Sequence, residues 1–171
     1  RSSEVAPFSS KYDAVLRGQA RFSKTEARGR RWFFAADKGN CGACHAVKRR
    51  SKRPADHLFT DHTYDTLGLP RNAAVPANAD PAFFDLGLCG PARERPKGLD
   101  ASACGSFRVP TLRNVARRPF LFHNGSFTDL AESVRFYVRR DTDPQSGFPR
   151  GADGRLMAFN DLPPALRRHV N

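Results

Sequence analysis

The clearest pattern in the chain opens at Ser23-Lys24-Thr25-Glu26, where a serine N-cap and a glutamate three residues on satisfy two orphan backbone donors reciprocally. It predicts a helix running to about Ala36. Ala27, Trp32, Phe33 and Ala36 give an imperfect apolar stripe, and Gly39 with Asn40 supplies the stop that delivers the chain into Cys41. A second helix is predicted after Thr128 as N-cap. Leu130, Val134, Tyr137 and Val138 recur there at helical spacing, so Tyr137 shares the apolar face, and Asp141-Thr142-Asp143-Pro144 ends the element. Leu162-Pro163-Pro164-Ala165-Leu166 opens a short final helix.

Between these elements the period is lost. Residues 46 to 70 are basic and polar, and residues 71 to 108 carry many Pro, Gly, Ala and Asp, which reads as a long ordered loop with functional content rather than a separate domain. Thirteen Pro and thirteen Gly in 171 residues fit short helices joined by ordered loops. The expectation is a single mainly α domain over residues 1–171.

A chain of this length buries roughly 70% of its unfolded surface and does not need disulfides merely to fold, so its four cysteines want another explanation. No stretch approaches the ~18 apolar residues of a membrane span; Trp32-Phe33-Phe34 is soon broken by Asp37 and Lys38. The chain begins Arg1-Ser2-Ser3 without a leader, which says nothing about compartment. The formal charge of +12 calls for an acidic partner, and the run Lys48-Arg49-Arg50-Ser51-Lys52-Arg53 reads first as a solvated loop and second as a docking patch.

Cys41-Gly42-Ala43-Cys44-His45 is a C-x-x-C-H sequence, suited to covalent haem c: two thiols add across the haem vinyls while the adjacent imidazole reaches the iron. The rival is a four-thiolate zinc site using Cys89 and Cys104, which with the charge would suggest a nucleic-acid module. Against it, zinc knuckles come as two closely spaced pairs, and Cys89 and Cys104 are far apart. If haem is bound, the protein matures in an oxidising compartment, and Cys89 and Cys104 can form a disulfide contributing about 3 kcal/mol; the alternative is two thiols packed as small hydrophobes. For the sixth iron ligand the candidates are Met157, Tyr137, His57, His62, His123 and His169.

These motifs, taken together, resemble the C-terminal haem domain of bacterial di-haem cytochrome c peroxidases and their MauG and MbnH-like relatives, from about Pro7 to Asn171. The resemblance rests on the C-x-x-C-H run, Phe59-Thr60-Asp61, Leu67-Gly68-Leu69-Pro70 and Asp85-Leu86-Gly87-Leu88-Cys89-Gly90-Pro91. It continues through Phe107-Arg108-Val109-Pro110-Thr111-Leu112-Arg113-Asn114-Val115, Phe122-His123-Asn124-Gly125 and Val134-Arg135-Phe136-Tyr137.

The resemblance implies a class I cytochrome c-like domain with long ordered loops, holding one haem c through Cys41 and Cys44 with His45 as proximal ligand. Tyr137 stands where peroxidases carry Met and MauG-like members carry Tyr, which implies a distal phenolate favouring ferric or higher-valent iron. Arg113 is implied as a propionate contact. Trp32 is implied to pack on the haem or to serve as a relay. Calcium between the haems is implied near Arg118-Pro119-Phe120, where the usual side chains are altered.

The peroxide-reactive haem and a final apolar helix of the family have no counterpart here, so the chain is expected to be part of a longer periplasmic di-haem protein. The implied partners are the second haem domain and an acidic electron donor or oxidised protein, with no nucleic acid and no membrane span. The alternative is a stand-alone mono-haem electron carrier.

Overall fold

The computed structural model describes residues 6–91 and 94–171. The chain divides into two compact units, Arg1–Thr63 with Val109–Arg117, and Tyr64–Arg108 with Arg118–Asn171. Regular structure is sparse. Three α-helices and one two-stranded ribbon are joined by 3-10 turns and loops among the described residues, so helix outweighs strand but irregular backbone outweighs both.

The first unit contains α1 (Lys11–Leu16) and α2 (Lys24–Phe34). Both start with a complete capping box, Ser10 with Asp13 and Ser23 with Glu26. The second box is the one the sequence predicts. α2 ends at Phe34, two residues short of Ala36, because Ala35 turns to an extended conformation. This helix buries none of its residues, Trp32 included. The side chains that are buried here are mostly polar: Asp13, His57, Thr60 and Arg113, with Val109 as the only buried hydrophobic residue of the unit among those described.

The second unit has a conventional core of Leu69, Phe136 and Phe148, with Phe122, Phe127 and Phe159 packed against it. The ribbon pairs β1 (Tyr64–Asp65) antiparallel to β2 (Phe107–Arg108). Gly68 holds φ +64°, and a Cβ there would meet Phe159 at 2.7 Å and Val170 at 2.8 Å, so the Leu67–Pro70 turn admits only glycine at its centre. Leu69 donates its N–H to Asp161 Oδ1 at 2.8 Å. Asn124 and Ser126 both donate to the Pro70 carbonyl, which ties the His123-Asn124-Gly125 turn to the same loop. Cys89 and Cys104 are joined in a disulfide, with Cα atoms 5.1 Å apart.

α3 (Leu130–Arg139) begins one residue later than predicted: Asp129, not Thr128, is the N-cap and accepts the Glu132 N–H at 2.8 Å. A carboxylate also complements the positive end of the helix better than a hydroxyl does. Ser133 and Phe136 form its buried face. The final segment, Pro164–His169, is a 3-10 helix rather than an α-helix.

Candidate haem-binding site

Asn40, at φ +47°, turns the chain out of the α2 stop and into a tight 3-10 turn, Cys41–Ala43. Asparagine tolerates this left-handed conformation better than most residues. Gly39 N–H returns to Trp32 O at 3.1 Å, and His45 N–H donates to Cys41 O at 2.9 Å, so the loop is closed on itself. At Gly42 a Cβ would lie 2.3 Å from Cδ1 of Phe34, which leaves hydrogen as the only acceptable side chain. Cys41 is exposed and Cys44 half-buried, and both carry thiols. Burial of the sulfur nonetheless raises the Cys41 thiol above its ordinary value, a backbone contact opposing it.

Nδ1 of His45 lies 2.9 Å from the Phe59 carbonyl oxygen. A carbonyl only accepts, so Nδ1 carries the proton and the lone pair of the neutral ring is at Nε2. Burial lowers the His45 pKa, while backbone hydrogen bonds to Phe59 and Pro110 and the charge of Asp61 pull the other way. The neutral, ligating form is the favoured one. Phe59 itself holds φ +55°, a conformation unusual for a bulky residue, and this places its carbonyl toward His45.

Three successive carbonyls of this segment each take a side-chain donor. His57 O accepts from Arg113 Nε at 2.9 Å, Leu58 O from the Thr111 hydroxyl, and Phe59 O from His45. Arg113 then makes a bidentate pair with buried Asp13, at 2.9 and 2.7 Å, and donates to Pro54 O at 2.8 Å. Thr111 and Arg113 thus clamp from one side the strand of backbone that orients His45. Four N–H groups of the Arg113 guanidinium are engaged within the protein, and its partner here is a carboxylate of the chain itself.

The other predicted residues are placed each within its own unit. Trp32 is 52% exposed, with Arg28 above its ring at 5.3 Å. Tyr137 belongs to the second unit; it is 53% exposed on α3, its ring 5.8 Å from that of Phe122. Leu130, Val134 and Val138 are exposed beside it, so the apolar stripe read from the sequence exists, but Phe136 and Ser133 fill the core instead. His57 is buried between Tyr12 and Ser51, and His123 stacks on Phe107 at 3.5 Å with Asp161 near its Nε2. Met157 is 39% exposed in a loop, and His169 ends the final 3-10 helix.

With Cys89 and Cys104 in a disulfide, the four-thiolate zinc arrangement is not formed, and no cluster of three His, Cys, Asp or Glu suited to a metal ion occurs among the described residues. Among them, too, no helix is long and apolar enough to cross a membrane. Asp13 and Tyr12 were not legible as partners of this site beyond the weak capping pattern of Ser10 with Asp13.

The residues present fit haem c: two thiols on one tight turn, a neutral imidazole with its Nε2 lone pair unprotonated, and aromatic side chains on a unit that has almost no apolar core of its own. This donor set, two neighbouring thiols followed by an imidazole, is the one that covalent haem c requires.

No family model matches the chain. It is 35% identical over 157 residues to the methylamine utilization protein MauG of Paracoccus denitrificans (strain Pd 1222), covering 86% of this chain and 38% of that protein. The diheme peroxidase BthA from Burkholderia thailandensis E264 superposes with a TM-score of 0.86 at 43% identity, over 97% of this chain and 39% of that one. A MauG-like protein associated with microbial copper homeostasis matches with a TM-score of 0.53 at 26% identity, over 77% of this chain and 38% of that one. The chain belongs to the di-haem cytochrome c peroxidase and MauG family. It spans somewhat more than a third of the length of these relatives.

Proposed function

We propose that this chain is the electron-transferring haem c domain of a periplasmic di-haem oxidoreductase of the peroxidase or MauG type, and corresponds to its C-terminal part. The observation that carries the reading is the fixed His45 tautomer immediately after Cys41 and Cys44. The Cys41 and Cys44 sulfurs would form the thioether links and His45 Nε2 would bind the iron. Haem c supplies one-electron redox chemistry when bound.

Tyr137 is the distal ligand in this reading. Its support is chemical: a phenol stands on an exposed apolar helix face, where a large apolar group is the natural cover. Two protein ligands would leave no open position for peroxide, so the reaction with peroxide would belong to a second haem domain of the full protein. The disulfide supports a periplasmic location, as haem attachment through thiols would.

An acidic redox partner is the reading of the charge. Arg30, Arg31, Phe34, Ala35 and Arg49 line an open groove of about 370 Å³, and Phe34 rests on Gly42 of the haem loop. Arg49 stands over the Phe34 ring at 4.8 Å. Charge at this edge would steer a negatively charged protein to the haem-bearing turn.

The function is tested on the full-length protein with hydrogen peroxide and a reduced acidic cytochrome. Each peroxide consumed should oxidise two equivalents of donor, with a rate that falls as salt rises. Donor oxidation indifferent to peroxide would overturn the peroxidase reading.

A further inference from the structure

Tyr12 and His57 form a hydrogen-bonded side-chain pair apart from the thiols and imidazole of the Cys41–His45 run. The Tyr12 hydroxyl lies 2.9 Å from Nδ1 of His57, and Nε2 of the same ring lies 2.8 Å from the Ser51 carbonyl oxygen. A carbonyl cannot donate, so Nε2 carries the proton; in neutral His57 the lone pair is then at Nδ1, and the phenol must be the donor. His57 is 2% exposed. Its proton traffic is therefore confined to these two neighbours.

We propose that Tyr12 is a redox-active tyrosine with His57 as its proton acceptor. Loss of one electron from the Tyr12 phenol to a one-electron oxidant is accompanied by transfer of its proton from Oη to His57 Nδ1. The products are a neutral phenoxyl radical and an imidazolium that keeps its Nε2–H on Ser51. Reduction by one electron returns the proton to the phenol, so the cycle consumes no other reactant.

The surroundings favour this route over its alternatives. Burial raises the phenol above its ordinary pKa, with the charge and hydrogen bond of Arg30 and the charge of Arg113 opposing and Asp13 reinforcing, so Tyr12 stays protonated at rest. A phenol cation radical is a strong acid, so with a base 2.9 Å from the hydroxyl the loss of the electron is accompanied by loss of the proton.

Position supplies the connection. The Phe59 ring meets Tyr12 edge-on at 5.1 Å while the Phe59 carbonyl accepts the His45 Nδ1 proton, so a single residue separates the phenol from the proposed iron ligand. Phe33 and Phe34 continue the aromatic contact from Phe59 to the haem loop, at 5.9 and 4.9 Å.

In the cell the oxidant would be the haem system proposed above, and in that respect the inference rests on that reading. The test does not. The holoprotein is photo-oxidised with a flash-generated ruthenium(III) polypyridyl, and the radical is trapped by freezing and read by electron paramagnetic resonance. Wild type and Tyr64→Phe should give the same tyrosyl signal, most of it should vanish in Tyr12→Phe, and its formation should slow severalfold in D2O.

His57→Gln should lower the radical yield severalfold; if that variant does not fold, the isotope effect on the wild type carries the same information. A signal that survives intact in Tyr12→Phe, or a formation rate unchanged in D2O, would overturn the assignment. A merely structural Tyr12–His57 hydrogen bond would change the melting temperature of these variants and leave the radical signal where it was.

Discussion

The carbonyl oxygen of Phe59 stands 2.9 Å from Nδ1 of His45, so backbone fixes which nitrogen of the imidazole can bind a metal. The relationship depends on a left-handed Phe59 and on Thr111 and Arg113 holding the two preceding carbonyls. If Nε2 is the iron ligand, His45→Ala should retain haem mass on the cysteines but lose the normal axial field. Added imidazole should restore the absorption spectrum of the low-spin haem; failure of rescue with the haem still attached would argue against the assignment.

Arg113 and Asp13 are a hundred residues apart in sequence and form a buried bidentate pair. Arg113→Ala leaves the fully buried Asp13 carboxylate without its partner and should cost about 3–5 kcal/mol in chemical denaturation. Arg113→Lys should recover only part of that, because an ammonium cannot reproduce the fork.

The same pair sets an acid limit. Burial alone would raise the Asp13 pKa, but hydrogen bonds from Arg113 and Ser10 outweigh it and hold the carboxyl below its ordinary value of 3.8. The unfolded chain therefore takes up this proton at higher pH than the folded one. Its contribution to stability is whole above 3.8 and is lost as pH falls through the lower folded-state value. In Asp13→Asn the acid limb of the stability profile should be shallower; an unchanged limb would show that other carboxylates govern it.

Tyr137 is more than half exposed, so Tyr137→Phe should alter folding stability by no more than about 0.5 kcal/mol in the apoprotein. In the haem-loaded protein it should change the haem spectrum and raise the reduction potential, since a phenolate favours ferric iron. An unchanged low-spin spectrum would remove Tyr137 from the coordination sphere.

The disulfide of Cys89 and Cys104 closes a segment with a sequence separation of 15. Replacing both cysteines with serine should cost about 3 kcal/mol by the loop-entropy relation. Thiol titration of the unfolded, unreduced haem-loaded protein should find neither residue reactive.

What the sequence made legible is local. The Ser23–Glu26 box and the Cys41–His45 run are each written in a few consecutive residues; the box caps α2 as read, and the run follows that helix on a tight 3-10 turn. The periodicity of Leu130, Val134, Tyr137 and Val138 correctly put them on one face, but a repeat cannot say whether protein covers that face; Phe136, off the stripe, is the core residue. Asp129 displaced Thr128 as N-cap because two adjacent side chains could both have capped. The clamp of His57, Leu58 and Phe59 by Arg113, Thr111 and His45 was beyond reach, since it depends on long-range pairing and on a positive φ at a phenylalanine. α1, at six residues, is too short to show a stripe.

The most direct test of the account is the haem content of this chain after expression with a c-type haem maturation system, measured by intact mass together with alkaline pyridine absorbance. One covalent haem per chain is expected, lost when Cys41 and Cys44 are both replaced by serine. A chain that matures without haem, or one whose haem is released on unfolding, would contradict it.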